Sequence, residues 1–293
     1  MKDVSIIIPV YNEGRVIKKV IQEILSFSFS FSVESIIVND ASTDNSLEEI
    51  NQFRDVEDLK VISNYHNRGY GASLKIGIKN AQGKYICTYD GDGQFFLEDI
   101  EVFYKKVIEK NLDAAIGERD KLSSGSPLWR TPGKFFIRSL INSLIGAKLK
   151  DFNCGFRLIK RSIILRYLHI CSDKFSFSTT STMALISRGY NYTFLPIKLK
   201  QREDGKSTVK LSSGFNTIYL VVKMIMLFNP LKIFFNSGII LLLFGILWGV
   251  NYFLSGNGLS IGSLFFLITG ILLLFLGLMA DQISEIRKSQ FEK

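Results

Sequence analysis

The chain has 293 residues, 47% of them apolar, and a formal net charge of +9, which is enough length and apolar surface for one large or two moderate domains with an ample core. The basic balance suggests nucleic acid at first sight, but an uncharged apolar run near the C-terminus argues against that partner and for a membrane, where lysine and arginine meet anionic headgroups. Cys87, Cys154 and Cys171 are odd in number and lack metal-ligand spacing, so they read as small buried hydrophobes in a reducing compartment.

Taken in chain order, MKDVSIIIPVYNE is not read as a signal peptide, because its short apolar run is followed by Asn and Glu and not by a small-residue cleavage site. Five runs read as strands: VSIIIPV (4–10), SIIVND (35–40), LKVIS (59–63), KYICTYD (84–90) and DAAIGER (113–119). The segments near 13–25, 44–53, 70–81 and 97–109 have helical spacing, with Asp44 in a capping region. SFSFSFS (26–32) reads as an edge strand or a loop with no functional meaning. Alternating β and α elements predict an α/β fold, a mostly parallel sheet with helices on both faces. Ligands bind such sheets beyond the carboxyl ends of the strands, and there the chain places YNEG, NDASTDN, NRGYG and DGDGQ.

From about 130 to 229 the pattern changes to apolar segments with interspersed basic residues, and SSGFNTIYLVVKMIMLF reads as an interfacial helix beside a membrane, with an ordinary core helix as the alternative. No charged residue occurs from Ile233 to Ala280. That length predicts two spanning helices, about 233–254 and 261–280, joined by SGNGLS into a hairpin. Lys223 and Lys232 precede the hairpin and Arg287, Lys288 and Lys293 follow it, so the positive-inside rule puts both termini and everything before residue 230 in the cytoplasm. The expected domains are 1–210, an interfacial helix over 211–230, the hairpin over 231–282 and a tail over 283–293. The glycines of the two spans are compatible with packing between protomers of a homo-oligomer.

In YICTYDGDGQF, Asp90 and Asp92 stand one residue apart after an apolar strand, with Gly91 and Gly93 letting the backbone come close. Paired carboxylates on such a turn suit a hard divalent cation that shares its shell with a diphosphate, although a solvated turn has the same composition. VSIIIPVYNE, IIVNDASTDNS, NRGYGASLKIGIKNAQGKYICTYDGDGQF, IGERD, DFNCGFRLIKR and LPIKLKQREDGKST together resemble, in order, the family 2 glycosyltransferases of GT-A fold. Within that family the likeness is to the polyprenyl-phosphate and dolichol-phosphate hexosyltransferases. It covers about residues 3 to 230, and a two-helix C-terminal hairpin also occurs in that family.

The resemblance implies that Pro9, Tyr11, Glu13, Val38 and Asp40 line a nucleoside pocket and that Asp90, Gly91 and Asp92 form the donor and metal site, with Gln94 completing the shell of Mg²⁺ or Mn²⁺. It implies that Arg119 and Arg202 hold phosphates, so that Asp92, Arg119 and Arg202 carry the catalysis, and that Arg138, Ser139 and Arg157 face the acceptor phosphate. Plainer readings make Glu13 a helix cap, Asp40 and Asp44 turn residues, and Arg157 and Arg202 surface ion-pair partners. Departures from the family pattern are Thr208 in place of a lysine, Thr180 in place of an acidic residue, and Cys154 where Ser is frequent. The implied reaction is inverting transfer of a hexose from a nucleotide sugar to a polyprenyl phosphate, a nucleophile already largely ionised at neutral pH. It needs no strong general base, which suits a chain whose two histidines, His66 and His169, have no catalytic setting. A same-fold transferase with a glycolipid or polysaccharide acceptor, and a non-catalytic membrane-anchored nucleotide-sugar binder, are the competing readings.

Overall fold

The computed structural model describes residues 2–119, 151, 154–174, 176–201, 226 and 230–289. The described residues up to 201 belong to one compact unit and those from 226 onward to another. Arg138, Ser139, Arg202, Thr208 and most of the expected interfacial helix lie outside the described residues.

The first unit is built on β1 (Val4–Val10), whose β-branched sequence suits an extended backbone and whose seven residues are all buried. A strand without in–out alternation is one covered on both faces. Around it lie β2 (Val33–Asn39), β3 (Leu59–Ser63), β4 (Tyr85–Thr88), β5 (Ala114–Arg119), β6 (Arg157–Lys160) and β7 (Tyr192–Ile197), in the order β3-β2-β1-β4-β6-β5-β7. The pairs β1–β2, β1–β4, β2–β3 and β5–β7 are parallel. β6 enters antiparallel to both β4 and β5, so the sheet is mostly parallel, as expected, with one reversed strand that the sequence pattern did not announce.

Helices α1 (Ile17–Ser26), α2 (Ser46–Asn51), α3 (Tyr70–Asn80), α4 (Glu98–Glu109), α5 (Arg161–Tyr167) and α6 (Phe177–Ser187) flank this sheet. Alternate residues of β1 serve its two sides. Val4, Ile6, Ile8 and Val10 join one apolar cluster with Val20, Ile21 and Ile24 of α1 and Ile100, Phe103 and Val107 of α4. On the other face Ile7 meets α3 so closely that a Cβ on Gly77 would stand 2.3 Å from its Cγ2. SFSFSFS is the loop of the two expected forms. Phe27, Phe29 and Phe31 stack toward Tyr104 with centroids 4.7, 5.5 and 4.0 Å apart in succession, while Ser30 and Ser32 hydrogen-bond the carboxylates of Glu101 and Asp3. Its alternation is thus a packing device, aromatic toward the core and hydroxyl toward surface acids.

The sheet also opens the crevice. β2 and β3 extend it to one side of β1 and β4 to the other, making the β1/β4 boundary a topological switch point. Their ladder ends at Ile7 paired with Thr88, one hydrogen bond from Tyr89 N–H to the Ile7 carbonyl closes it, and β1 then runs on to Val10 beside β2 alone. Since the Ile7 carbonyl faces β4 and the Val10 carbonyl accepts from Asp40 beside β2, alternation turns Pro9 toward β4, past the last paired residue. A proline is tolerated in this central strand because its missing N–H falls where no ladder remains.

The second unit is a helical hairpin, α7 (Pro230–Leu254) and α8 (Ile261–Ser289), whose segments Pro230–Leu254 and Ile261–Ile286 are long and apolar enough to span a bilayer. α8 continues past the expected end at 280 because Asp281, Gln282, Glu285, Arg287 and Lys288 end the apolar run without interrupting helical propensity. Its glycines find their contacts inside the hairpin: a Cβ on Gly238 would lie 3.0 Å from the Gly270 carbonyl oxygen, one on Gly245 3.0 Å from Leu267 Cγ, and one on Gly277 2.7 Å from Phe234 Cβ. Leu247, Phe253, Phe265 and Phe275 point outward and are exposed.

Candidate active site

Two loops at the carboxyl ends of β1 and β2 are knitted together. Asn12, in the left-handed region at φ 57°, accepts the Thr43 N–H with its side-chain oxygen at 2.8 Å, and its own N–H goes to Ser42 Oγ at 3.1 Å. Glu13 N–H donates to Ser46 Oγ at 2.9 Å and Gly14 N–H to Asp44 Oδ2 at 3.0 Å. Against its partial burial, the Ser46 hydroxyl and the N–H groups of Gly14 and Ser46 donate to Asp44 and hold it below the usual carboxylate range. Asp40 is buried and accepts from Asn64 Nδ2 at 2.8 Å, Arg68 N–H at 2.9 Å and Gly69 N–H at 2.8 Å. Its charge therefore anchors the loop that starts α3, at the end where a helix favours an anion.

The turn after β4 carries the paired carboxylates. Gly91 presses on β1, where a Cβ would lie 3.1 Å from the Pro9 carbonyl oxygen, and Gly93 takes φ 69°. These two positions thus need glycine for close approach and for a left-handed backbone respectively. The Tyr70 hydroxyl donates to Asp90 Oδ1 at 2.8 Å. Burial first and the Asp92 charge second push Asp90 up to about 6, against the Tyr70 hydrogen bond and the positive charges of Arg119 and Arg157. Burial, the Asp90 charge and the same hydrogen bond hold the Tyr70 phenol well above its ordinary value, so it is a proton donor throughout the working range. Gln94 N–H donates to Asp92 Oδ1 at 3.2 Å, and Lys200 N–H donates to the Gln94 carbonyl at 2.8 Å. The chain after β7 is thereby bound to this turn and is described to Gln201, one residue short of Arg202.

Arg119 ends β5 and binds Asp151 through two side-chain bonds, Nε to Oδ2 at 2.7 Å and Nη2 to Oδ1 at 3.0 Å. The pair raises its pKa further, and one edge of the guanidinium is committed to it. Arg157 is fully buried. Its Nη1 donates to the Ser178 carbonyl at 2.7 Å, Ser181 Oγ at 2.6 Å and Thr182 Oγ1 at 3.1 Å, and Nη2 donates to the Cys154 carbonyl. Desolvation lowers its pKa. Neither expectation for Arg157 matches this placement: it is not a surface ion-pair partner, and no atom of it is exposed to meet an acceptor phosphate. Val38 is buried too, its Cγ2 3.3 Å from the place of a Gly77 Cβ, so its side chain faces α3 and not a pocket. Tyr11 is 41% exposed at the rim.

Asp90 and Asp92 are hard oxygen donors that repel one another, and this is the donor set a divalent ion takes when diphosphate and water supply the remainder of its shell. Among the described residues no group of three His, Cys, Asp or Glu side chains gathers. The pattern reading missed Tyr70, Gly155 and Asp151. Each acts on a residue 20 or more positions away in the chain, but a phenol directly after a Gly-rich turn at a helix start was a usable signal for the first.

Residues 5–168 match the family described as Glycosyl transferase family 2, and residues 229–286 match the GtrB C-terminal hairpin. A dodecaprenyl-phosphate galacturonate synthase from Rhizobium johnstonii is 26% identical over 93% of this chain and 82% of its own length. An undecaprenyl-phosphate 4-deoxy-4-formamido-L-arabinose transferase from Aeromonas hydrophila is 25% identical over 97% of this chain and 89% of its own. In fold, the chain is similar to glucosyl-3-phosphoglycerate synthase from Mycobacterium tuberculosis, solved with Mn²⁺, UDP and phosphoglyceric acid, at a TM-score of 0.59, 12% identity, and coverage of 76% of this chain and 78% of that one. The likeness is one of fold.

Proposed function

This chain belongs to glycosyl transferase family 2, and on that footing we propose that it transfers a hexose, with inversion, from a nucleotide diphosphate sugar to a membrane polyprenyl phosphate. The observation that carries the reading is a family 2 domain, with paired carboxylates at its switch point, followed in one chain by a GtrB-type hairpin. Relatives at both ends of the identity range above act, by name, on polyprenyl phosphates, and the mycobacterial neighbour holds UDP with Mn²⁺.

In this reading Pro9, Tyr11, Glu13 and Asp40 border the nucleoside, Asp40 chiefly by fixing the loop that starts α3. Asp90 and Asp92, with Gln94, hold Mg²⁺ or Mn²⁺, which when bound neutralises charge on the departing diphosphate. Arg119, oriented by Asp151, and Arg202 add fixed positive charge on that leaving group. Arg138 and Ser139 meet the acceptor phosphate. The acceptor oxygen is already largely ionised, a phosphomonoester having its second pKa at about 6, so catalysis reduces to positioning and charge neutralisation. The hairpin anchors the domain on the cytoplasmic face, where the lipid phosphate is presented.

The test is transfer of label from radiolabelled UDP- and GDP-sugars to undecaprenyl phosphate in detergent, with and without Mg²⁺ or Mn²⁺, for wild type and Asp92→Ala. Metal-dependent labelling of the lipid by one donor, lost in the variant, is the expected result. Donor turnover without lipid labelling redirects the reading to a glycolipid or polysaccharide acceptor, and absence of turnover with every donor overturns it.

A further inference from the structure

We propose that Tyr70 and Gly155 are positioning residues that together form the seat of the Asp90 carboxylate and so fix its orientation beside Asp92 for a divalent cation; this rests on the reading of the site given above. Tyr70 bonds Oδ1 at 2.8 Å. Gly155 supplies a bare Cα surface against the same group: a Cβ there would lie 2.7 Å from Asp90 Oδ2, 3.1 Å from Oδ1 and 3.0 Å from the Tyr70 hydroxyl. Any side chain at 155 displaces the carboxylate, the phenol or both.

Each positioning group is itself held by a separate part of the fold. Tyr70 is the first residue of α3, and the two N–H groups just before it, of Arg68 and Gly69, are bound by the buried Asp40. Ala72 N–H donates to the Asp173 carbonyl at 2.9 Å, and Gly71 lies too close to the Ser172–Lys174 backbone to carry a Cβ. Gly155 is fixed through its carbonyl, which accepts from Thr88 Oγ1, and through its neighbours: Gly117 N–H donates to the Phe156 carbonyl at 2.9 Å, and the buried Arg157 ties the Cys154 carbonyl to α6. Asp90 therefore sits where the start of α3, the end of β4 and the approach to β6 converge. Arg157, itself fully buried, takes part by holding the wall on which Asp90 rests.

Groups that orient a metal-bound carboxylate change metal affinity by about 10–100-fold when removed, because the site tolerates little misplacement. The experiment is titration of the EDTA-treated, detergent-solubilised full chain with Mn²⁺ in the presence of UDP or GDP, reading free and bound Mn²⁺ by electron paramagnetic resonance. Tyr70→Phe removes one oxygen and is expected to raise the Mn²⁺ dissociation constant about tenfold, with the folded circular dichroism spectrum retained and turnover restored at saturating Mn²⁺. Gly155→Ala is expected to weaken Mn²⁺ at least as much and to broaden the bound signal. Should Gly155→Ala not fold, Tyr70→Phe decides. Wild-type affinity in folded Tyr70→Phe overturns the proposal while leaving the metal reading intact, and so does a turnover defect that saturating Mn²⁺ does not repair. Absence of Mn²⁺ binding by the wild type overturns both.

Discussion

Replacing Asp90 by Asn should make the metal-free protein more stable while abolishing its activity. Asp90 titrates at about 6 in the folded chain against 3.8 as an ordinary side chain, which corresponds to a cost to folding of about 3 kcal/mol once the group is fully ionised. The sign follows from proton binding. Below 3.8 both states hold the proton and no cost exists; between 3.8 and about 6 the folded state holds it more tightly, so stability falls as pH rises through that window; above about 6 the whole cost is present. Asparagine keeps an acceptor for the Tyr70 hydroxyl and removes the charge that burial and Asp92 oppose. For a domain of this size the gain is worth roughly 6–12 °C in melting temperature at pH 7.5. Thermal unfolding followed by circular dichroism on the full chain in detergent with EDTA, at pH 7.5 and pH 4, measures it. A variant no more stable than wild type at pH 7.5, or an advantage that persists undiminished at pH 4, would refute the reasoning.

Three further substitutions separate packing from ligand contact. Arg157→Met leaves the Cys154 carbonyl without its buried donor and should lower stability by about 1–3 kcal/mol, whereas an acceptor-contact role would spare the melting temperature and strike only the KM for lipid. Gly77→Ala puts a methyl 2.3 Å from Ile7 Cγ2 and should cost about 1–3 kcal/mol; chemical unfolding with an unchanged midpoint would contradict the α3–β1 packing. Gly270→Leu wedges apart the helices that meet at Gly238 and Leu242, so amide hydrogen exchange across α7 and α8 should quicken in detergent, and protection equal to wild type would show that the glycines are dispensable there.

The parts of this molecule that were legible in its sequence are those whose physics is local. VSIIIPV and LKVIS coincide with β1 and β3 because β-branched runs bounded by polar turns have few other uses. KYICTYD overshot β4, which ends at Thr88 because the next residues leave the ladder for the DGDG turn. β6 was illegible because RLIK is four residues long and opens on an arginine that is buried, contrary to any in–out rule. β7 contains Pro196, allowed only because the strand lies at the sheet edge, a fact of topology. At the site, the carboxylate pair and its glycines announced themselves. What secures Asp90 did not, since Tyr70 and Gly155 approach it from residues 20 before and 65 after along the chain.

The reversed strand β6 also has a bearing on biosynthesis. β4 and β5 are successive strands, yet they never pair, because the ladder between them is filled by residues 157–160. On a ribosome adding about 5–20 residues per second, the edge of β4 that will receive β6 waits roughly 4–14 s for its partner to be made. During that interval the β6-facing edge of β4 and both edges of β5 are bare, a template for pairing with the wrong chain, and the apolar hairpin has yet to emerge. A nascent chain stalled before residue 157 is thus an aggregation hazard, and cotranslational holding of the incomplete sheet is the demand this topology makes on its cell.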